Sequence, residues 1–148
     1  MATKGKGAKV HLYDSVSTNA LVKIGEMVSV QPPQPSRDTI DTTNHDSTGD
    51  YREFIASLID AGEATVNVNY NPGDTTEDLV TQEFSAGELT SMAIDFNKPG
   101  GGAQRRMSFA CIVTSGLQIS DVVIDDKMTA SFTVKVSGPI TFADAPVA

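Results

Sequence analysis

Wherever this chain shows a clear pattern, apolar and polar residues alternate. From Lys127 to Ser137, the side chains Met128, Ala130, Phe132, Val134 and Val136 fall on one face, and Thr129, Ser131, Thr133, Lys135 and Ser137 on the other. A period of two predicts a strand buried on one side. Ala64, Val66, Val68 and Tyr70 alternate in the same way, as do Met92, Ile94 and Phe96, and Met107, Phe109, Cys111 and Val113. Leu117 and Ile119 open a further strand whose pattern slips at Asp121 before Val122-Val123-Ile124, predicting a bulge. Asn97 to Ala103, with three consecutive glycines, reads as a hairpin loop, and Asp125-Asp126 as a tight turn. The last third is therefore an antiparallel meander.

Helical spacing occurs in two places. Tyr51, Phe54, Ile55, Leu58 and Ile59 sit at i, i+3, i+4, i+7 and i+8, which predicts an amphipathic helix opened by Ser47, Thr48 or Asp50 and stopped near Gly62. A second helix is expected after the turn Asn71-Pro72-Gly73-Asp74. It has a capping box at Thr75-x-x-Asp78, a stripe of Leu79, Val80 and Phe84, and an end at Gly87. Many short strands with one or two short helices indicate a mainly β protein, an antiparallel β-sandwich or barrel with short flanking helices.

Between the strand-like Met27-Val28-Ser29-Val30 and Tyr51 the pattern lapses. Gln31 to Asp50 spans twenty residues with one apolar side chain, Ile40. Connections longer than about 12 to 15 residues are uncommon in compact domains unless they have a function. Pro32, Pro33 and Pro35 stiffen its start, and Arg37 to Thr43 reads as a short strand with Ile40 facing inward. Such an arm can reach a partner, with Arg37, Asp38 and Asp41 as polar contacts and Ile40 as anchor. The expected organisation is a flexible basic N-terminal arm over residues 1–9 and a single domain over 10–148 with a long loop at 31–50.

Composition narrows the chemistry. Lys4, Lys6 and Lys9 lie in the N-terminal arm; residues 10–148 carry 8 basic against 19 acidic groups. From Asp38 to Asp95 there are 13 acids and one base, Arg52. A surface of that sign repels phosphate and argues against nucleic-acid binding through backbone contacts. The N-terminus has no apolar stretch behind its lysines, and no run of about 18 apolar residues is present, so neither an export signal nor a membrane span is expected.

The single cysteine, Cys111, excludes an internal disulfide and sits on the apolar face of a predicted strand, where it reads as a small core residue. His11 and His45 are the only histidines. His45 has Asp41 and Asp46 nearby, without the second histidine or fixed carboxylate spacing of a metal site. No Gly-x-Ser-x-Gly elbow occurs, and Gly100-Gly101-Gly102 lacks the Gly-Lys-Ser/Thr of a phosphate loop. No enzyme, cofactor or metal is expected. Arg105-Arg106 is the only basic pair in the acidic body, and Arg106 falls on the polar face opposite Met107, where it can meet acids on a neighbouring strand or a neighbouring chain.

The long polar loop, the run Phe54-Ile55-x-x-Leu58-x-Asp60-Ala61-Gly62-Glu63 into Val66-Asn67-Val68-Asn69-Tyr70, and the closing strand Thr129 to Pro139 together resemble the major tail tube proteins of long, non-contractile-tailed bacteriophages. The resemblance covers roughly residues 20 to 142, and the same core is similar to the ring-forming tube protein of type VI secretion systems. It implies a β-sandwich flanked by a helix, rings of six copies stacked into a tube, and a lumen through which DNA leaves the capsid without specific binding. It also implies a place in the virion tail, assembly in the host cytoplasm, and the tape measure and tail terminator or tip proteins as partners. An acidic excess is compatible with such a lumen. Inter-subunit or inter-ring contacts are expected from Arg37, Asp38, Ile40, Asp41, Arg52, Arg105 and Arg106. The alternatives are a secretion-type ring or tube and a small monomeric β-sandwich binding module.

Overall fold

The computed structural model describes residues 5–16 and 18–146. Seven antiparallel strands form the main sheet: β1 (Lys9–Asp14), β2 (Ala20–Lys23), β3 (Met27–Gln31), β6 (Glu63–Asn69), β7 (Thr90–Phe96), β8 (Arg105–Ile119) and β9 (Thr129–Asp144). Their order is β2-β1-β7-β8-β9-β6-β3. The edge strands β2 and β3 are consecutive in sequence, with only residues 24–26 between them. So short a link forces the sheet to roll until its two edges come together: the Ile24 amide extends the β1–β2 ladder to the Val10 carbonyl at 2.8 Å, and, two residues on, the Glu26 carbonyl accepts from the Asn69 amide of β6 at 3.0 Å.

The alternating side chains fill the inside of this roll. Val10, Leu12, Val66, Met92, Ile94, Phe132 and Val134 are completely buried. One helix, α1 (Thr75–Ala86), closes it with Leu79 and Val80. Polar contacts pin the helix: the Gly25 amide donates to Thr76 Oγ1 at 3.3 Å, and the Ser15 amide and hydroxyl donate to the buried Glu83 carboxylate at 2.8 and 3.1 Å. Phe84 lies over Gly116, where an added Cβ would come within 3.2 Å of the ring. The cap is one residue earlier than the spacing suggested. Asp74 is the N-cap, accepting from the Thr75 amide at 2.7 Å, and Glu77 reaches back to the Gly73 amide at 2.8 Å. Gly87, in the left-handed conformation, ends the helix as expected.

The remaining two strands, β4 (Ser36–Asp41) and β5 (Phe54–Asp60), form a separate two-stranded sheet. Here the structure corrects the sequence reading: Tyr51 to Ile59 is not a helix. Periodicity alone cannot assign so short an apolar run, and pairing with β4 satisfies the backbone of both segments. Helical spacing yields no gain here, because Phe54, Ile55, Leu58 and Ile59 are all exposed in the subunit.

Three smaller expectations differ from the structure. Ile40 lies on β4 as expected but is half exposed, not inward. Leu117 and Ile119 belong to β8 itself, whose register shifts absorb the slip between Val113 and Gln118, while residues 121–124 form no strand. The segment through Lys9 enters β1, which places part of the expected arm in the sheet; residues 1–4 lie outside the described residues.

Phe132 lies in the first half of β9, paired with Val66 and completely buried. Phe132→Ala is expected to cost about 3 to 5 kcal/mol. Chemical denaturation of the isolated subunit measures this, and a loss well below 1 kcal/mol would contradict the packing described.

Candidate functional site: the assembly surfaces

Most of the exposed large hydrophobic residues gather in three places, while Val16, Leu21, Val28, Phe84, Leu89 and Ile112 are scattered elsewhere. The first is the β4–β5 hairpin. Ile40 pairs with Ile55, and on the opposite face Asp41 pairs with Phe54 and Arg37 with Ile59, the register shifting by one residue between. These apolar side chains are 50 to 57% exposed, and Leu58 reaches 85%. A two-stranded hairpin open on both faces is marginal in water. Local polar bonds hold it: Arg37 Nη1 donates to the Ser57 carbonyl at 3.2 Å, and the Thr42 amide donates to the Glu53 carbonyl at 2.8 Å. Hydrogen bonds from Thr43 hold the Asp41 carboxyl below its ordinary pKa. Asp38 is exposed on β4, and Arg52 is exposed in the stretch before β5.

The second place is the connection between β8 and β9, where Val122, Val123 and Ile124 are 75, 48 and 104% exposed. The third is an apolar cleft of about 750 Å³ between the base of the β4–β5 hairpin and the distal half of β9, walled by Pro33, Pro35, Ile59, Met107, Ile140 and Phe142 among others.

The two arginines serve different surroundings. Arg106 makes a bidentate pair with Asp95, Nε to Oδ1 at 2.8 Å and Nη2 to Oδ2 at 3.1 Å, across β7 and β8 on the face of the sheet away from the core. The structure thus places Arg106 within its own subunit. His11 on β1 completes the group, its Nδ1 buried without a hydrogen-bond partner and 3.8 Å from Asp95. Burial lowers the His11 pKa, with Asp95 opposing that shift and Arg106, Lys9 and Lys23 adding to it. Arg105 instead reaches Asp144 at 3.4 Å at the sheet's end, and Lys98 holds the same carboxylate at 2.7 Å. Lys98 and Arg105 keep the Asp144 pKa low.

The acids concentrate on the hairpin, on α1 and at the β8–β9 connection. The non-core face of β6 and β9 is mostly neutral, with Thr65 and Thr133 bonded at 3.3 Å and Asn67 donating to Ser29 at 2.9 Å. Cys111 is buried, and burial first, with Glu83 adding, pushes its thiol up to about 12. It is unreactive at neutral pH. His45 is exposed in its loop. Among the described residues no group of three His, Cys, Asp or Glu could hold a metal, and no helix is long and apolar enough to cross a membrane.

Exposed apolar surfaces of this kind, on a rolled antiparallel sheet with one helix, mark places where a partner can associate. The chain belongs to the lambda phage tail tube protein family, whose model matches residues 6–143. Solved structures share the fold at low identity. A tail subunit of an empty gene transfer agent particle, determined with C6 symmetry, aligns at 18% identity and TM-score 0.70 over 96% of this chain and 99% of that one. The SPP1 tail tube aligns at 10% identity and TM-score 0.70, covering 97% and 80%. A chain from the sheath/tube terminator of an extracellular contractile injection system gives 14% identity and TM-score 0.71 over 97% of both chains. No curated protein matches the sequence.

Two outcomes are expected of the buried charge group. Arg106→Ala leaves Asp95, whose side chain is 4% exposed, without its partner. A loss of about 3 kcal/mol is expected in denaturation of the subunit, and a loss below 1 kcal/mol would show that the pair contributes little. Because the folded His11 pKa is lowered, the unfolded chain binds the extra proton first as pH falls below about 6.5. Stability should therefore be full above that value and decline as pH falls toward the folded pKa. Melting of His11→Asn should show a flatter profile between about pH 5 and 7, and an unchanged profile would assign the dependence elsewhere.

Proposed function

We propose that this chain is the repeating subunit of a phage tail tube, forming stacked six-membered rings whose lumen conducts DNA out of the capsid. Family membership carries this reading, and the C6-symmetric gene transfer agent tail with the same fold supports the six-fold ring. The role is structural, without catalysis. Terminator, tip and tape measure proteins are the proposed partners, the tube lies in the virion tail, and assembly takes place in the host cytoplasm. The same fold in a contractile injection system keeps a tube of that kind as the second reading; the match to the lambda family favours the phage.

In this reading the hydroxyl- and amide-bearing face of the main sheet, opposite the core, lines the conduit. Having few cations that are not already paired, it offers DNA little counterion release, so DNA passes without being held. The β4–β5 hairpin reaches an adjacent ring. Arg37, Asp38, Asp41 and Arg52 are its proposed polar contacts and Ile40 its anchor, with Arg105 contributing at the end of the sheet.

The hairpin's ends already meet, since Ser36 pairs with Asp60. Replacing residues 37–59 by a short Gly-Ser turn is expected to leave a folded subunit and to prevent tube formation. Circular dichroism and electron microscopy of the purified variant test both halves. An unfolded variant would make the hairpin part of the core, and normal tubes would make it dispensable.

A further inference from the structure

The β8–β9 hairpin carries an unpartnered apolar tip at one end and an unfilled apolar cleft at the other. Val122, Val123 and Ile124 protrude from the connection between the strands, Ile124 fully exposed. No fold requirement explains three aliphatic residues there, since a turn of this length is served by polar residues. At the opposite end, Met107 pairs with Phe142 and Phe109 with Ile140, extending the core face of the sheet past the point where β6 has ended. The base of the β4–β5 hairpin covers this extension on one side only, which leaves the cleft of about 750 Å³.

Tip and cleft cannot meet within one chain. They lie at opposite ends of β8, whose fifteen residues span roughly 45 Å at the rise of a strand. Charge points the same way. The tip carries Asp121, Asp125 and Asp126 against Lys127, a net of −2. Asp60, the charged residue of the cleft wall, is held by Lys135, and just beyond Phe142 Lys98 and Arg105 share the single carboxylate of Asp144, which leaves one cation in excess at that end of the cleft.

We infer that the cleft is a socket for the Val122–Ile124 tip of a second copy of this chain. The two patches differ, so the contact is heterologous: each subunit offers one tip and one socket, and repetition builds a ring or a stack, not a closed pair. The inference rests on the tube reading above and names one of its joints.

Disulfide trapping tests it. The double variant Ile124→Cys with Phe142→Cys, oxidised in assembled tubes, should yield a ladder of covalent oligomers on non-reducing gels, and each single variant should yield none. The buried Cys111 thiol does not compete. A ladder ending at six places the joint within a ring, and a longer ladder places it between rings; both support the socket. Chains that stay monomeric in tubes verified by microscopy would overturn it. Ile124→Glu provides a second measurement: loss of tubes with an unchanged subunit melting curve is expected, and normal tubes would equally refute the socket. Wild-type protein that forms no tubes would refute the tube reading itself, which separates the two failures.

Discussion

One strand with two neighbourhoods sets the plan of this subunit. Over Thr129 to Lys135, β9 pairs with β6 on one side and β8 on the other, and its apolar face seals the core. Between Val136 and Ile140 it gains two residues relative to β8. Gly138 there takes a φ of +99, which other residues rarely adopt, and Pro139 has no amide to donate. The last bond on the β6 side is the Val136 amide to the Gly62 carbonyl at 3.0 Å. Beyond it β9 continues along β8 alone, carrying core-type residues into a place with no core. The cleft, and the approach of the β4–β5 hairpin to it, follow from this break.

Electrostatics complement that arrangement. The buried Asp95 is neutralised by Arg106 within the subunit, so the non-core face of the sheet hides a charge pair instead of presenting one. The acids that remain sit on the hairpin, the helix and the β8–β9 connection, the parts that project from the main sheet. A net charge of −8 keeps free subunits apart. Like-charge repulsion is screened over about 10 Å at 0.1 M salt, whereas apolar burial acts at contact. Assembly is therefore opposed at a distance and favoured once surfaces touch.

Four of the core strands were legible because burial on one face imposes the period of two, as β6, β8 and β9 show in their alternating burial, while β7 is buried on both faces from Met92 to Asp95 and β1 is too short to stand out. The helix was equally legible from its turn, cap and closing glycine. Tyr51 to Ile59 was not, and the reason is physical. Its apolar residues face no core in the subunit, so their spacing records no burial there and a helical period arises without a helix. Sequence also could not show that Arg106 is satisfied by Asp95, since that depends on the pairing of β7 with β8. The cleft left no local signal because its walls come from segments more than a hundred residues apart, from Pro33 to Phe142.

The same distinction separates two kinds of apolar residue in this chain. Phe132, Met92 and Ile94 are buried whether or not the subunit meets another, and they determine whether it folds. Ile40, Ile55, Ile124 and Phe142 are exposed in the subunit and contribute to its own stability only weakly, at about 25 cal/mol per Å² of whatever area they bury. Exposed apolar surface carries a cost in aggregation unless a specific partner covers it. Here it is confined largely to a projecting hairpin, a turn and a cleft, and is accompanied by charges of opposite sign at the last two. Placement of that kind directs association toward defined contacts between copies, which is the requirement a tube places on its subunit.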